Sequence, residues 1–298
     1  METKKLMRVG AALVLVLALG LMAVGCNSQP AATDVTTSPS TAPTAASGGT
    51  SKISVVGSTS VTPLMQELAE GYKSVEPNVS IEVQGVGSSA GIKAATEGTA
   101  DLGMSSRELK EAEKPGLTET TIALDGIAIV VHPNNPVSDL TQDQIAKIFK
   151  GEITNWSEVG GADKPIIVVS REDGSGTRGA FEEMMKLTQE KDGKSVSLLV
   201  ADAIIANSNG AVKSNVAAKE NAIGYLSMGS VDTTVKASKV DGVDGVEAQV
   251  VAGNYPISRP FIIMTKGEAK DDVKKFIDYI MSKDGQKIVG ESYISVSK

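Results

Sequence analysis

SREDGSGTRGAF, residues 170–181, follows directly on the apolar run IIVV at 166–169. Four consecutive apolar residues read as a buried strand. The two glycines after them break the pattern, and Phe181, Met184 and Met185 resume it at helical spacing. The stretch is therefore a strand, a tight turn and a helix in immediate succession. That is the repeating unit of an α/β fold. Packed into the turn are Arg171, Asp173, Ser175 and Thr177, four polar residues in seven positions.

The same alternation extends in both directions. ISVVG (53–57) reads as a strand, and Val61, Leu64, Met65, Leu68, Ala69 and Tyr72 then line one face of a helix. VSIEVQ (79–84) alternates like a strand and runs into GSSAGIKAATEG, a turn and short helix. Short strands are expected at 101–105, 126–131, 222–227 and 261–265. Thr141 and Gln144 form a capping box ahead of Ile145, Ile148 and Phe149. Val273, Phe276, Ile277, Ile280 and Met281 mark a closing amphipathic helix. Trp156 in GEITNW is expected to pack rather than bind, and the acidic pairs Glu182–Glu183 and Asp271–Asp272 to face solvent near Lys186, Lys274 and Lys275.

Three strand-to-helix turns share a composition: GSTS (57–60), GSSAG (87–91) and DGSGT (173–177). A helix N-terminus presents unpaired N–H groups and a partial positive charge, which favour anions. Glycine lets a ligand approach the backbone, and Ser and Thr add rotatable donors. One such turn is an ordinary cap. Three of them with Arg171 point to a naked tetrahedral oxyanion, held and released unchanged.

Composition narrows the classes. The 298 residues carry a formal charge of −7, with no Lys/Arg-rich run, so no nucleic-acid partner is expected. One histidine and one cysteine exclude a His/Cys metal cluster, and neither metal nor cofactor is expected. At the N-terminus Lys4, Lys5 and Arg8 precede sixteen uncharged residues, 9–24, and then Gly25-Cys26. A basic start, a short apolar run and a small residue describe an export signal over 1–25. Ala-Val-Gly-Cys (23–26) resembles a bacterial lipobox, which makes Cys26 the expected site of acylation. Residues 26–51 form a Ser/Thr/Ala/Pro-rich linker too polar to fold, with a reach of about 25–30 Å as a coil.

GSTSVTPLM, QGVGSSAGIKA, DLGMSSR, GEITNW, SREDGSGTRGAF and NAIGYL, in this order, are similar to the PstS-type phosphate-binding lipoproteins of bacterial phosphate ABC transporters. The resemblance covers residues 52–298. It implies an α/β periplasmic-binding-protein fold (type II), two lobes joined by crossovers near 124–126 and 255–258. The lobes would be 52–125 with 258–298, and 126–257. It implies phosphate ligands at Thr59 through its hydroxyl, Ser60 through its backbone N–H, and Ser88, Arg171, Ser175, Gly176 and Thr177, with Asp173 fixing the Arg171 guanidinium. The partners implied are inorganic phosphate and the transmembrane subunits of an ABC permease. A monomer on the outer face of the cell membrane, held by its lipid, is the expected state. One position departs from the family: Ser106 stands where the family places an aspartate that accepts the phosphate's proton. Sulfate or another tetrahedral oxyanion is therefore an alternative ligand. Arg107 beside it either adds charge to the cleft or lies on the surface.

A hydrolase is the rival reading. Gly87-Ser88-Ser89-Ala90-Gly91 satisfies G-x-S-x-G after a strand, with Ser89 as nucleophile, Asp101 or Asp125 as orienter and His132 as base. His132 lies in the proline-bounded HPNNP, which reads as an exposed loop, so no enzyme is expected.

Overall fold

The computed structural model describes residues 51–296. The expected signal peptide, Cys26 and nearly all of the linker lie outside the described residues. The chain opens with β1 (Ser51–Gly57), α1 (Thr62–Tyr72), β2 (Val79–Gly85), α2 (Ser88–Glu97) and β3 (Leu102–Ser105). It then enters a strand of 15 residues, β4 (Leu117–Val131). After it come β5 (Asp139–Leu140), α3 (Gln142–Lys150), β6 (Ile167–Arg171) and α4 (Gly176–Met184). A hairpin of β7 (Thr188–Lys191) and β8 (Lys194–Ser197) leads to β9 (Ile204–Ala206), α5 (Asn209–Ala217) and β10 (Ala222–Ser227). The remainder is β11 (Lys236–Val240), α6 (Glu247–Val251), β12 (Ser258–Lys266), α7 (Asp271–Met281), α8 (Lys283–Val289) and β13 (Ile294–Ser295).

Local sequence explains the elements nearest the site. Pro63 opens α1, and Leu64, Met65, Leu68, Ala69 and Tyr72 form its buried stripe. The Thr141–Gln144 capping box forms at α3 as expected: Gln144 N–H donates to Thr141 Oγ1 at 3.1 Å, and Thr141 N–H to Gln144 Oε1 at 2.9 Å.

The main sheet runs β2-β1-β3-β12-β4-β10-β6-β9. β1 is parallel to β2 and β3, and β6 is parallel to β10 and β9. β4 joins the halves, pairing antiparallel with β12 up to Gly126↔Ser258 and with β10 from Ile127↔Ser227. Each half has its own core. One gathers Val55, Leu64, Leu68, Phe261 and Phe276, the other Ile129, Phe149, Phe181 and Tyr225. Where the chain crosses back, Ile127 N–H donates to Ile257 O at 2.9 Å, so the two connecting segments run side by side.

Three expectations need correction. The strand expected at 126–131 is only the apolar end of β4, whose first half is Thr- and Glu-rich. Glu182 does not face solvent: it is buried and accepts from Arg178 Nε at 2.8 Å and Ser197 Oγ at 2.6 Å. Lys274 pairs with Asp278, one helical turn on, rather than with Asp271. Trp156 packs as expected, buried and donating from Nε1 to Asn221 O at 2.9 Å.

Candidate functional site

The three glycine-and-hydroxyl turns meet at one place. β1 ends at Gly57, and the turn after it carries Ser58, Thr59 and Ser60 into α1. α2 begins at Ser88, and α4 begins at Gly176 with Ser175 as its cap. Ser58, Ser60, Ser88, Ser106, Arg171 and Thr177 are all buried. Ser60 Oγ lies 2.8 Å from Thr177 Oγ1, which ties the β1–α1 turn to the start of α4. Ser58 Oγ donates to Ser106 Oγ at 2.8 Å, and Ser106 Oγ lies 3.4 Å from Ser88 Oγ. Ser106 N–H donates to Ser88 Oγ at 3.1 Å.

Gly176 sits where these side chains converge. A Cβ there would lie 2.2 Å from Ser88 Oγ and 2.7 Å from Ser106 Oγ, so only glycine fits. Across the same junction Ser89 N–H donates to Gly174 O at 3.0 Å. Ser175 acts as a cap, its Oγ accepting from Arg178 N–H at 3.2 Å.

Arg171 supplies positive charge to this cluster. Its side chain is 1% exposed, and Nη2 donates to Thr59 Oγ1 at 3.0 Å. The carboxylate that fixes it is Glu172, not Asp173: Nε and Nη2 reach the two Glu172 oxygens at 2.8 Å each. Asp173 is 94% exposed and pairs with Arg178 at 2.8 Å. β6 ends at Arg171, so strand alternation no longer sets side-chain direction beyond it. Arg178, on the first turn of α4, captures Asp173 instead.

Arg107 is neither free on the surface nor in contact with the hydroxyl cluster. It forms a two-pronged pair with Glu113, at 2.7 and 2.8 Å, and Nη2 approaches Ser89 Oγ at 3.4 Å. Burial pushes the Glu113 carboxyl up, but the Arg107 bonds outweigh it and hold that group below the ordinary carboxylate value. Ser89 and His132 are not brought together. Ser89 faces Gly174 and Arg107, whereas His132 Nδ1 accepts from Asn134 N–H at 3.1 Å. Among the described residues no group of three His, Cys, Asp or Glu side chains could hold a metal ion.

Two residues absent from the sequence reading touch the cluster. Asn209, at the start of α5, donates from Nδ2 to Ser60 Oγ at 2.9 Å. Arg259, on β12, donates from Nη2 to the same oxygen at 3.2 Å. Strand register alone brings Arg259 inward, whereas Asn209 lies in Asn-Ser-Asn-Gly (207–210), a strand-to-helix turn of the same glycine-and-hydroxyl kind as the other three. Two cavities flank the cluster. One of about 830 Å³ is lined by Ser89, Arg107, Ser175 and Arg178 among others, and one of about 360 Å³ by Thr59, Asn209 and Lys213.

A family model described as a PBP superfamily domain matches residues 37–284. The phosphate-binding protein PstS of Bacillus subtilis is 35% identical over 251 residues, covering 82% of this chain and 81% of that protein. PstS of Pseudomonas aeruginosa is 33% identical, with 82% of each chain covered. Among solved structures, a Clostridium perfringens substrate-binding protein assigned to a phosphate ABC transporter, with phosphate bound, is 49% identical with a TM-score of 0.78. That match covers 83% of this chain and all of that one. A phosphate transport receptor from Vibrio cholerae is 42% identical with a TM-score of 0.69, covering 81% and 99%.

Proposed function

The chain belongs to the PBP superfamily, and within it to the PstS phosphate-binding proteins, and from that premise we propose that it captures inorganic phosphate between two lobes and passes it to an ABC permease. The lobes are assigned as 52–125 with 258–298, and 126–257. The observation that carries the reading is the buried convergence of Ser60, Ser88, Ser106, Thr177 and Arg171 at the N-termini of α1, α2 and α4. Hydroxyls that bond one another can rotate to an oxyanion, each exchanging a neutral hydrogen bond for a charge-assisted one. Such bonds contribute about 1.5–3 kcal/mol each, so six or so, discounted for lobe closure, reach the roughly 8 kcal/mol of micromolar binding.

In this reading Thr59, Ser60, Ser88, Ser106, Arg171, Ser175, Gly176 and Thr177 hold the anion. Glu172 orients the arginine. Binding selects the closed lobes through contacts the open form lacks. The protein works as a carrier and not as an enzyme, lipid-anchored through Cys26 outside the cell membrane. The permease's transmembrane subunits receive the ion. Titration calorimetry of the purified protein with phosphate and sulfate tests the ligand. Tight phosphate binding that weakens at least tenfold in Arg171→Ala is expected, and no binding of either anion overturns the proposal. Release of the protein from membranes in Cys26→Ser would support the anchor, and unchanged membrane association would exclude it.

A further inference from the structure

Asp125 and Arg259 are register partners on β4 and β12, at the point where the chain crosses between the halves of the sheet. Their side chains are 1% and 2% exposed. Asp125 Oδ2 accepts from Arg259 Nη2 at 2.9 Å and Nε at 3.2 Å. Burial pushes the carboxyl up and the guanidinium down from their ordinary values, each opposed by the partner's charge. Desolvating two ions costs several kcal/mol apiece, so such a pair is weak evidence for stability. Its use is to be sought in what it orients.

The bonds around it form a closed ring. Asp125 Oδ1 accepts from Ser227 Oγ at 2.9 Å, and Ser227 N–H donates to Asn209 Oδ1 at 3.3 Å. Asn209 Nδ2 donates to Ser60 Oγ at 2.9 Å, and Arg259 Nη2 donates to it at 3.2 Å, returning to Asp125. Ser60 Oγ therefore accepts twice. A hydroxyl has two lone pairs and one hydrogen, so only its O–H remains to be used. That hydrogen points to Thr177 Oγ1, 2.8 Å away in the anion cluster. Arg259 Nη1, also buried, has no hydrogen-bond partner among the described residues, so this guanidinium is not fully used by the protein.

We propose that Arg259, held by Asp125, is a positioning residue that makes the Ser60 hydroxyl an obligate donor to the bound anion. The inference rests on the phosphate reading above. It gives the crossing strands a direct part in the anion site, because the ring spans β4, β12, β10, the start of α5 and the β1–α1 turn.

The test is a double-mutant cycle on phosphate affinity. Arg259→Gln combined with Asp125→Asn removes the pair without leaving a buried charge alone. Ser60→Ala is then made in the wild type and in that background, with the melting temperature of each ligand-free protein measured alongside. The paired variant is expected to weaken phosphate binding at least tenfold. Ser60→Ala should cost much less affinity in it than in the wild type, because the donor is already misdirected. A pair that is merely structural would lower the melting temperature and leave the Ser60 effect unchanged. That result, or affinity within threefold of wild type, overturns the inference while phosphate binding by the wild type still stands. If the paired variant does not fold, Arg259→Lys decides. Lysine ends one bond short of Nη2, the single nitrogen that meets both Asp125 and Ser60, so it cannot hold both contacts at their present lengths; weakened binding supports the assignment and wild-type affinity overturns it. A wild-type protein that binds no phosphate overturns both this inference and the reading beneath it.

Discussion

Gly176→Ala should cost both affinity and stability. A methyl at this position would lie 2.2 Å from Ser88 Oγ, 2.7 Å from Ser106 Oγ and 2.9 Å from Ser88 Cβ. Rotating Ser88 clears only the first of these, so the start of α4 must retreat from α2. Carbon and its neighbours separate best at about 3.5–4.0 Å, so the retreat is on the order of 1 Å. Bonds now at 2.8 Å between Ser60 and Thr177 and at 3.0 Å between Ser89 and Gly174 would then be too long to count. Losing two charge-assisted contacts to the anion at about 1.5 kcal/mol each gives about 3 kcal/mol, roughly a hundredfold in Kd. The retreat also breaks two bonds of the ligand-free protein and overpacks the junction, at a cost of about 1–3 kcal/mol that alanine's better helix propensity does not offset, so the ligand-free melting temperature should fall as well. Calorimetric titration with phosphate and a thermal melt of the same preparation measure both quantities. Phosphate binding within threefold of wild type would refute the close approach at Gly176.

Glu172→Gln removes the partner of a buried guanidinium, though from a carboxylate 26% exposed, and should cost about 1–2 kcal/mol after solvent screening. That corresponds to a fall of about 3–6 °C in melting temperature, whereas Asp173→Asn should leave it unchanged. Ser106→Asp should raise phosphate-over-sulfate selectivity in competition titrations, since a carboxylate accepts the proton that only phosphate carries. At Asp101 burial raises the carboxyl, but bonds from Lys270 and from the Ser54 N–H and hydroxyl outweigh it and hold it below the ordinary value. Its stabilisation is then present above the unfolded carboxylate range and lost as pH falls through the folded value. Asp101→Asn should lower the melting temperature at pH 7 and flatten its decline in acid, and parallel pH profiles would exclude this.

Sequence made the apolar strands legible because each is a short run ended by glycine or a polar turn, as at β1, β6 and β10. It hid the first half of β4, where Thr118, Glu119, Thr120 and Thr121 face out or half out and no apolar alternation marks a strand. The β7–β8 hairpin is polar except for an exposed Val196, though Asp192-Gly193, both at positive φ, is a turn signal that was there to be read. The site divides the same way. Its backbone turns are local motifs and stand out, while its polar partners depend on register and helix placement. Arg259 reaches Ser60 from 199 positions away with nothing beside it to announce the contact, while Asn209, 149 positions away, sits between Ser208 and Gly210 in a turn of the kind that could have been read.

Charge at the site is balanced before any anion arrives. Arg171 is matched by Glu172, Arg259 by Asp125, Arg107 by Glu113, and Arg178 by Glu182 and Asp173. The chain as a whole is acidic, at −7, so its overall field does not draw anions in. What remains to hold a desolvated oxyanion is the set of oriented dipoles: the hydroxyls of Ser60, Ser88, Ser106 and Thr177 and the partial positive charge at the N-termini of α2 and α4. The arginines then act less as net charge than as rigid donors, each held in place by its carboxylate. Hydroxyls held in place around the cluster need only rotate when the anion enters, and the paired arginines need not move, whereas a mobile unpaired arginine would first have to be ordered. The carboxylates beside the cleft, which look unsuited to an anion carrier, are on this argument what keeps its donors aimed.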